Sequence, residues 1–515
     1  MKTDAGSNLL AGWIARAAHR APQKPWVIGA DSGRSFSYGR LHDVVGRFAT
    51  LLYQRGIVPN DRVALLGNNS IEYLLCYFGV MAAGATVCTI NVDANRNQLV
   101  NILTRLQPGL IVYQDGLQLD DQLATIPAPR LRLGQADSSE PGTLFAELAR
   151  CAAGETQPPA KADDDAVILF TSGTSARPKG VVLNFREYLL NIDPLVEGFG
   201  ITGEDRLYDF RPFSWASAQL LGALAPVNCG ATLVLGERFS AHKFFDHIRD
   251  RGVSVAAGNP TTISILLGGQ TGVTSDQVPS LRFVTSSSAP LTLELWRRFE
   301  QKFGIPIAQG YGASEANWIA AVPGGQRRLG TVGRPFAYHD LAIVDAEGRR
   351  LPAGELGQIE LGGFADHPYR YLGDDGSIEI HSRGRIRTGD IGRFDADGFL
   401  MVTGREKELI IRGGAKISPL EIDSCLMEHA DLVEAATIGV PDAVYGEEVV
   451  SYVVLRPGAD LDAEEILHYC RSILPAFKAP KRILVSPSLP KTERGKLDRR
   501  ALLRQWNAGG NNIRS

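Results

Sequence analysis

A short loop rich in hydroxyl groups and glycine is the part of this chain best suited to chemistry. It lies in the segment LFTSGTSARPKG, from Leu169 to Gly180, directly after an apolar run. Small residues let backbone N–H groups approach phosphate oxygens, hydroxyls donate further hydrogen bonds, and Lys179 adds positive charge. The residue order is not that of a Walker A loop, so the segment indicates nucleoside triphosphate chemistry of another kind. On its own, the same loop also fits a polar surface turn.

A second candidate combines a glycine-flanked tyrosine with a carboxylate. In QGYGASE, from Gln309 to Glu315, the glycines allow close backbone approach and the ring of Tyr311 offers a stacking face. Glu315 is a hard oxygen ligand suited to Mg²⁺. The segment follows a predicted strand and the turn SSSAP at residues 286–290. Taken alone, it also fits a tight turn around a half-buried tyrosine.

Three further segments place charged residues beside glycines. RTGD ends at Asp390, a carboxylate beyond a glycine turn that is suited to two sugar hydroxyls. GREK, from Gly404 to Lys407, is followed by IRGGAKISP at residues 411–419, and PKTERGKLDR near the end of the chain contains Lys496. Each is equally typical of a charged turn or a solvated tail.

The elements that must position these segments follow an alternating pattern. Short, continuously apolar runs alternate with amphipathic helical stretches, which predicts parallel sheets covered on both faces. A stretch from Tyr73 to Ile90 is uncharged, but Gly84 divides it into a buried helix and a buried strand rather than a membrane span. The predicted strands are Val63–Leu66, Thr86–Ile90, Leu110–Tyr113, Val167–Phe170, Thr232–Leu235, Ser254–Ala256 and Leu281–Thr285.

The pattern changes after about residue 330. Residues 386–414 read as a run of glycine-punctuated turns, and Ser418 with Glu421 forms a predicted capping box at the start of a helix. Asp462 to Glu465 opens another helix, and residues 435–440 and 449–455 read as strands. We therefore predict a large N-terminal domain over residues 1–404 and a small α+β domain over residues 405–515, joined through a turn at residues 403–405.

Composition narrows the class of protein. A chain of 515 residues exceeds what one core usually supports, so at least two domains are expected. With 54 basic and 57 acidic side chains the formal net charge is -3, which excludes a basic nucleic-acid-binding footprint. The six cysteines have no metal-type spacing and fit the reduced thiols of a cytoplasmic protein. The N-terminus is not a signal peptide and instead has helical periodicity.

In this order, the segments closely resemble the motif series of the adenylate-forming superfamily, which includes acyl-CoA synthetases, peptide-synthetase adenylation domains and luciferases. The resemblance runs from about Phe36 to Arg500 and includes GTVGRP at residues 330–335 and GELG at residues 354–357. It implies an α/β fold: a large N-terminal domain of α/β subdomains with a smaller β-barrel-like part, and a small mobile α+β C-terminal domain. It also implies a ligase that uses MgATP to form acyl-AMP and pyrophosphate, after which CoA displaces AMP.

The resemblance assigns roles residue by residue. Lys496, Glu315 and Thr171 would be catalytic, Glu315 would hold Mg²⁺, and Lys407 would be the hinge about which the small domain rotates. Trp215, Gly310 and Lys496 would contact the acid. The cofactor-binding set would be Thr171, Ser172, Gly173, Thr174, Ser175 and Lys179 at the phosphates, Ser287, Ser288, Ala289, Pro290, Gln309, Gly310, Tyr311, Gly312, Ala313 and Ser314 around adenine, Asp390 and Arg405 at the ribose, and Gly413 and Gly414 along the pantetheine tunnel.

This chain departs from the family pattern at four positions. Ala176 replaces a usual glycine, Phe185 and Trp215 replace frequent histidines, and Lys407 replaces a frequent hinge aspartate. A bulky ring at Trp215 is expected to shorten, close or gate the acid pocket. The identity of the acid is therefore not inferred from the resemblance.

Alternatives to a CoA ligase remain at this stage. One is a stand-alone adenylating enzyme that loads a carrier protein. A cationic site for the CoA nucleotide would favour the CoA ligase over this alternative, and Arg412, Lys478 and Lys481 are candidates for that site. Another is a non-catalytic nucleotide-binding member of the fold. Residues 230–245 also loosely resemble the carnitine/crotonobetaine CoA-ligase branch, and a homodimer is a possible assembly.

Overall fold

The structure is a computed structural model that describes residues 7–152, 160–171, 178–269, 272–322, 326–362, 369–382, 384–492 and 497–509. Its helices are α1 Ser7–Arg20, α2 Tyr38–Gln54, α3 Ile71–Ala82, α4 Arg96–Leu106, α5 Asp120–Ala124, α6 Leu144–Leu148, α7 Phe185–Leu189, α8 Ile192–Phe199, α9 Ala216–Ala218, α10 Ala225–Cys229, α11 Phe244–Arg251, α12 Pro260–Gly268, α13 Leu293–Phe303, α14 Pro419–Met427, α15 Ala463–Ile473 and α16 Arg499–Asn507. A π-helical segment, Gln219–Leu224, joins α9 to α10, and single 3₁₀ turns lie at Ser275–Gln277 and Glu406–Glu408.

The strands of the first half of the chain are β1 Pro25–Gly29, β2 Ser35–Ser37, β3 Arg62–Leu66, β4 Thr86–Ile90, β5 Leu110–Tyr113, β6 Arg130–Arg132, β7 Asp165–Thr171, β8 Lys179–Asn184, β9 Arg206–Asp209, β10 Thr232–Leu235 and β11 Val255–Ala256. Those of the second half are β12 Phe283–Ser286, β13 Ile307–Gln309, β14 Tyr311–Ala313, β15 Asn317–Ala321, β16 Arg334–Pro335, β17 Asp340–Val344, β18 Gly357–Gly362, β19 Tyr369–Leu372, β20 Ile378–Ser382, β21 Ile386–Phe394, β22 Leu400–Arg405, β23 Ile410–Arg412, β24 Ala415–Ile417, β25 Leu432–Asp442, β26 Gly446–Leu455 and β27 Arg482–Val485.

Two large sheets dominate the N-terminal part. The first sheet has the order β20-β19-β8-β7-β4-β3-β5-β6, and the second sheet has the order β13-β12-β11-β9-β10-β1-β2. The central strands of both are parallel, as the continuous apolar runs predict. The largest core joins the two sheets through helix side chains such as Trp13 and Phe78, which pack with Val87 of the first sheet and Leu233 of the second.

The helix–glycine–strand prediction for residues 71–90 is confirmed. Ser70 caps α3 by accepting a hydrogen bond from the backbone N–H of Tyr73, and Gly84 follows the helix with φ +87°. This left-handed conformation ends a helix at little cost only in glycine. Gly230, at φ +81°, likewise ends α10 before β10 of the second sheet.

A smaller β part and an α+β unit complete the fold. The antiparallel sheet β17-β18-β21-β22 shares a core of Ala320, Ile343, Ile359 and Leu400 with the sheet β14-β15-β16. In the C-terminal unit, α14 and α15 pack on one face of a sheet formed by β23 to β27, and α16 packs on the other. The predicted fold class, with a large N-terminal and a small C-terminal part, is confirmed.

Two local predictions are wrong. Residues 386–414 are not a run of turns, because they contain β21, β22 and β23, and residues 403–405 end β22 in register with β21. Gly389 and Gly404 lie inside antiparallel strands, where Gly389 takes φ +75°. Ser418 precedes α14 as predicted, but its hydroxyl donates to the Thr403 carbonyl at 2.6 Å and makes no cap hydrogen bond with its own helix.

No helix among the described residues is long and apolar enough to cross a bilayer. All six cysteines lie in the described ranges as free thiols, five of them buried.

Candidate active site

The carboxyl ends of the parallel strands in the second sheet meet at one edge, which is where open α/β sheets bind ligands. Ser286 at the end of β12 is in register with Gln309 at the end of β13, and the Gly310 N–H donates to the Ser286 carbonyl at 2.9 Å. The two segments predicted to flank adenine, residues 287–290 and 309–314, are therefore neighbours.

Backbone geometry at this edge is unusual in two places. Ser288 takes φ +72°, a left-handed conformation that is uncommon outside glycine and that clusters at functional sites. At Gly310 an added Cβ would lie 2.3 Å from the ring of Trp318, so only glycine permits this approach. The turn and the tyrosine segment therefore both have local backbone geometry that few other residue types tolerate.

Tyr311, Asp390 and Arg405 form a hydrogen-bonded cluster. The Tyr311 hydroxyl donates to Asp390 Oδ2 at 2.6 Å, and Arg405 Nε donates to Asp390 Oδ1 at 2.8 Å. The register of β21 with β22 places Asp390 opposite Arg405. Burial, together with the charge of Asp390, raises the pKa of Tyr311 well above its usual value. The phenol therefore stays a donor, and a buried carboxylate is held by two charge-assisted bonds.

Glu315 is linked to the end of the phosphate-loop segment through Tyr371. The Tyr371 hydroxyl donates to Glu315 Oε1 at 3.2 Å, and Lys179 Nζ lies 5.3 Å from the centre of the Tyr371 ring. Burial and the nearby Glu315 raise the pKa of Tyr371. Glu315 also lines a small pocket with Glu187 and Arg370. Oxygen ligands of this kind suit Mg²⁺, which typically takes one or two carboxylates beside substrate phosphates.

The phosphate loop itself connects two paired strands. Thr171 ends β7 directly opposite Lys179 at the start of β8. Five of the predicted residues, Ser172, Gly173, Thr174, Ser175 and the catalytic candidate Lys496, lie outside the described residues, as does Ala176.

The segment from Arg211 to Trp215 is clamped by buried amides. Asn69 Nδ2 donates to the Arg211 carbonyl at 2.9 Å, and the Phe213 N–H donates to Asn69 Oδ1 at 3.0 Å. Gln219 Nε2 donates to the Phe213 carbonyl at 2.7 Å from the first turn of the π-helical segment. Trp215 is half-buried just before α9, whereas Phe185 is fully buried in the main core.

The C-terminal candidates lie on two short stretches. Lys407 is exposed in the 3₁₀ turn, and Gly413 and Gly414, at φ +55° and +85°, form the turn between β23 and β24. The Gly413 N–H donates to the Tyr445 carbonyl at 2.8 Å, which ties this turn to the hairpin between β25 and β26.

The cations considered for a CoA site are all paired with carboxylates. Lys478 Nζ lies 2.7 Å from Glu421 Oε1, Arg412 Nε lies 2.6 Å from Glu448 Oε1, and Lys481 Nζ lies 3.6 Å from Asp442 Oδ2. Among the described residues, no group of three or more His, Cys, Asp or Glu side chains is placed to hold a metal ion.

Sequence reasoning missed several residues of this region. Tyr371 and Arg370 lie beside Glu315 because β19 pairs with β8, which lies nearly two hundred residues earlier in the chain. Asp209 and Arg211 form a buried ion pair at the end of β9, with Arg211 Nη2 at 2.6 Å from Asp209 Oδ2. In the sequence, the only indication of this ion pair was that two oppositely charged residues follow each other closely at the end of an apolar strand.

Comparison with known proteins identifies the family of this chain. Residues 14–365 match the AMP-binding enzyme family, and residues 421–496 match the AMP-binding enzyme C-terminal domain. The chain belongs to the AMP-binding enzyme family. The resemblance noted in the sequence to the adenylate-forming superfamily is thereby confirmed.

Similar proteins extend over the whole chain. A sulfoacetate–CoA ligase of Cupriavidus necator is 33% identical over 96% of this chain and 97% of its own length. An oxalate–CoA ligase of Arabidopsis thaliana is 30% identical over 97% and 99%. The crystal structure of ATP-bound MatB from Rhodopseudomonas palustris superposes with a TM-score of 0.85 at 28% identity, covering 96% and 99%. The present protein is therefore an acid–thiol ligase, which uses ATP to join a carboxylate to CoA.

Proposed function

We propose that this ligase activates a short carboxylic acid at the carboxyl edge of the second sheet. The cluster of Tyr311, Asp390 and Arg405 is the observation that carries the proposal, because it brings three separate sequence segments to one point beside the turn at residues 287–290. A nucleoside needs this combination of an aromatic face, a carboxylate for two hydroxyls and a close backbone approach.

In this proposal, Asp390 accepts the ribose hydroxyls. A carboxylate offers about four acceptor sites, and Tyr311 and Arg405 occupy two of them. Within the part of the chain that the structure describes, the remaining sites accept no side-chain hydrogen bond, which leaves them to the sugar. Tyr311 and the turn at residues 287–290 enclose adenine, together with Gly310, Gly312, Ala313 and Ser314.

The triphosphate then lies against the turn between β7 and β8. Thr171 and Lys179 flank it from the described side, and residues 172–175 supply the remaining donors. Glu315 would hold a Mg²⁺ ion, which would supply positive charge that offsets the charge of the phosphates. Tyr371, donating to Glu315 and lying under Lys179, positions both groups.

The first half-reaction is attack of the acid's carboxylate oxygen on the α-phosphorus, with release of pyrophosphate. This chain's contribution is to hold the two anions together and to balance their charge, chiefly through Lys496. In the second half-reaction the CoA thiolate attacks the acyl carbon and AMP leaves with the bonding electrons. Rotation of the small domain about Lys407 would move Lys496 out of the active site. It would bring the pantetheine tunnel, bordered by Gly413 and Gly414, to the acyl-adenylate.

We place the boundary of the two domains between residues 404 and 405. The pairing of β21 with β22 ends at the next residue, Arg405, and the 3₁₀ turn that carries Lys407 follows at once. A cytoplasmic location and a homodimer stay predictions.

A short acid fits the space behind the site. Leu207, Leu221 and Val255 line a narrow gap between β9, β11 and the π-helical segment beside Asp209, and we infer that this gap leaves no room for a long acyl chain. The relatives are named for sulfoacetate and oxalate, which are short acids with a second acidic group.

The test measures pyrophosphate and AMP release with MgATP across a panel of carboxylic acids, with and without CoA. A matching CoA thioester for one short acid is the expected result. Activity confined to long-chain or bulky aromatic acids would contradict the proposed pocket.

The role of Lys496 is tested in the half-reactions. Lys496→Ala should abolish adenylation and still form the thioester from supplied acyl-adenylate. Lys491→Ala is the matched control, because Lys491 lies in the same segment but pairs with Glu434 at 2.6 Å. Normal pyrophosphate release by Lys496→Ala would remove its assigned role.

A further inference from the structure

The ion pair of Arg211 with Asp209 is unusual in its burial. Both residues are about 1% exposed, and Arg211 Nε lies 3.0 Å from Asp209 Oδ1 while Nη2 lies 2.6 Å from Oδ2. A buried ion pair is costly to desolvate and is often matched in stability by apolar residues of similar volume. Stability therefore does not explain why charges lie at this edge of the sheet.

The guanidinium keeps a hydrogen-bonding capacity that the protein does not use. An arginine has five N–H donors. Nε and Nη2 serve Asp209, the second N–H of Nη2 serves the Ser217 carbonyl at 3.1 Å, and one N–H of Nη1 serves Ser287 Oγ at 3.3 Å. Within the described ranges the structure gives the fifth N–H, on Nη1, no acceptor.

Polar side chains in the two sequence segments that Arg211 joins are also buried without a described partner. They are Ser214 Oγ, three residues along from Arg211, and the side-chain oxygens of Thr285 and Ser286, which immediately precede Ser287. Buried polar groups are normally paired, so a group of unpaired ones indicates that a ligand or water completes them.

Arg211 links the turn assigned to adenine with the segment that contains Trp215, a residue predicted to contact the acid. Its Nη1 faces Ser287 of the turn assigned to adenine, and its own backbone begins the segment that ends at Trp215. Asp209 packs closely against Gly222, where an added Cβ would lie 2.6 Å from Asp209 Oδ2.

We propose that Arg211, oriented by Asp209, is a specificity-determining residue that donates a hydrogen bond to an oxygen on a second polar group of the acid. This inference rests on the proposed function and names its substrate class: a short acid that carries a carboxylate, sulfonate or hydroxyl oxygen besides the reacting carboxylate. A plain alkyl acid leaves the buried N–H unpaired and is discriminated against by roughly 10- to 100-fold in kcat/KM.

The experiment compares matched acids of similar size by pyrophosphate release: malonate, sulfoacetate and 3-hydroxypropionate against propionate and butyrate. Wild type should prefer the polar acids. The double variant Arg211→Met with Asp209→Leu removes both charges without leaving one buried alone, and should bring the ratio of polar to alkyl kcat/KM to near one. Arg211→Lys, which retains the charge but not the planar donor pair, should give an intermediate ratio.

Arg282→Met is the matched control. It breaks an ion pair with Asp205 at 3.0 Å next to the opposite end of β9, so it should leave the ratio unchanged. An equal fall for all acids in the Arg211 variants would show a merely structural role and overturn the inference. If the double variant does not fold, an unaltered ratio in Arg211→Lys overturns it. Wild-type turnover that ignores the second group refutes this inference alone, whereas no turnover of any short acid refutes the proposed function.

Discussion

A methyl group added at Gly222 tests whether the buried ion pair is held as rigidly as the contacts indicate. Gly222 lies in the π-helical segment, and a Cβ there would approach Asp209 Oδ2 to 2.6 Å and Asp209 Cβ to 3.0 Å. Asp209 cannot move aside freely, because Arg211 binds both of its carboxylate oxygens. We expect this overpacking to cost about 1–3 kcal/mol.

The measured effect includes a second contribution of opposite sign. Replacing glycine by alanine at a compatible helical position stabilises a protein by about 0.4–1 kcal/mol through the unfolded chain. Gly12→Ala in α1 measures this contribution separately, because the nearest atom to its added Cβ is Arg16 Nη1 at 3.7 Å. The clash at Gly222 is therefore the difference between the two variants.

The difference in the free energy of unfolding between the two variants is measured by urea denaturation, monitored by tryptophan fluorescence. Gly222→Ala should unfold at lower urea than Gly12→Ala, with a gap in the free energy of unfolding of about 1–3 kcal/mol. It should also reduce the preference for polar acids, since the carboxylate that orients Arg211 is displaced. Equal stability and equal acid preference in the two variants would refute the close contact and the orienting role of Asp209.

Three further predictions concern titration, nucleotide binding and a second buried pair. Burial lowers the pKa of His339 to about 4, so the neutral imidazole stabilises the fold above about pH 6.5 and this stabilisation is lost as pH falls towards 4. The loss is about 2 kcal/mol near pH 5, and denaturation of His339→Gln at neutral and acidic pH should lack this component. Asp390→Asn should raise the KM for ATP roughly 10- to 100-fold, because a neutral amide is a weaker acceptor than a carboxylate for the ribose hydroxyls and for the Tyr311 hydroxyl. An unchanged KM would show that Asp390 does not bind the ribose. Arg499→Met leaves Asp423 buried without its cation, so thermal and urea unfolding should show a loss of about 3–5 kcal/mol, most of it recovered when Asp423→Leu is added.

Local sequence patterns predicted the central strands well. Thr86–Ile90, Leu110–Tyr113 and Thr232–Leu235 have the bounds that were expected, because these strands are buried on both faces and are continuously apolar. The predicted strand Leu281–Thr285 is displaced to Phe283–Ser286. Its end extends into the serine-rich turn, where polarity does not distinguish strand from loop.

Glycine misled the sequence reasoning after residue 386. In a single sequence, glycine indicates a turn, whereas here Gly389 and Gly404 lie inside paired antiparallel strands with irregular register. Glycine tolerates such irregularities for the same reason that it favours turns. The capping box at Ser418 failed for a related reason, since a tertiary partner, the Thr403 carbonyl, took the hydroxyl.

The sequence by itself determined the order of the motifs, the alternation of helices and strands, and the family. These properties depend on which residue types follow each other at short spacing, and this can be read from a single sequence. Only the tertiary structure decided that Tyr371 joins Glu315 to Lys179, that Asp390 contacts Tyr311 and Arg405, and that Asp209 and Arg211 form a buried ion pair beside Ser287. Those contacts join segments up to two hundred residues apart, or depend on complete burial, and both follow from how strands pair and sheets pack rather than from any local pattern.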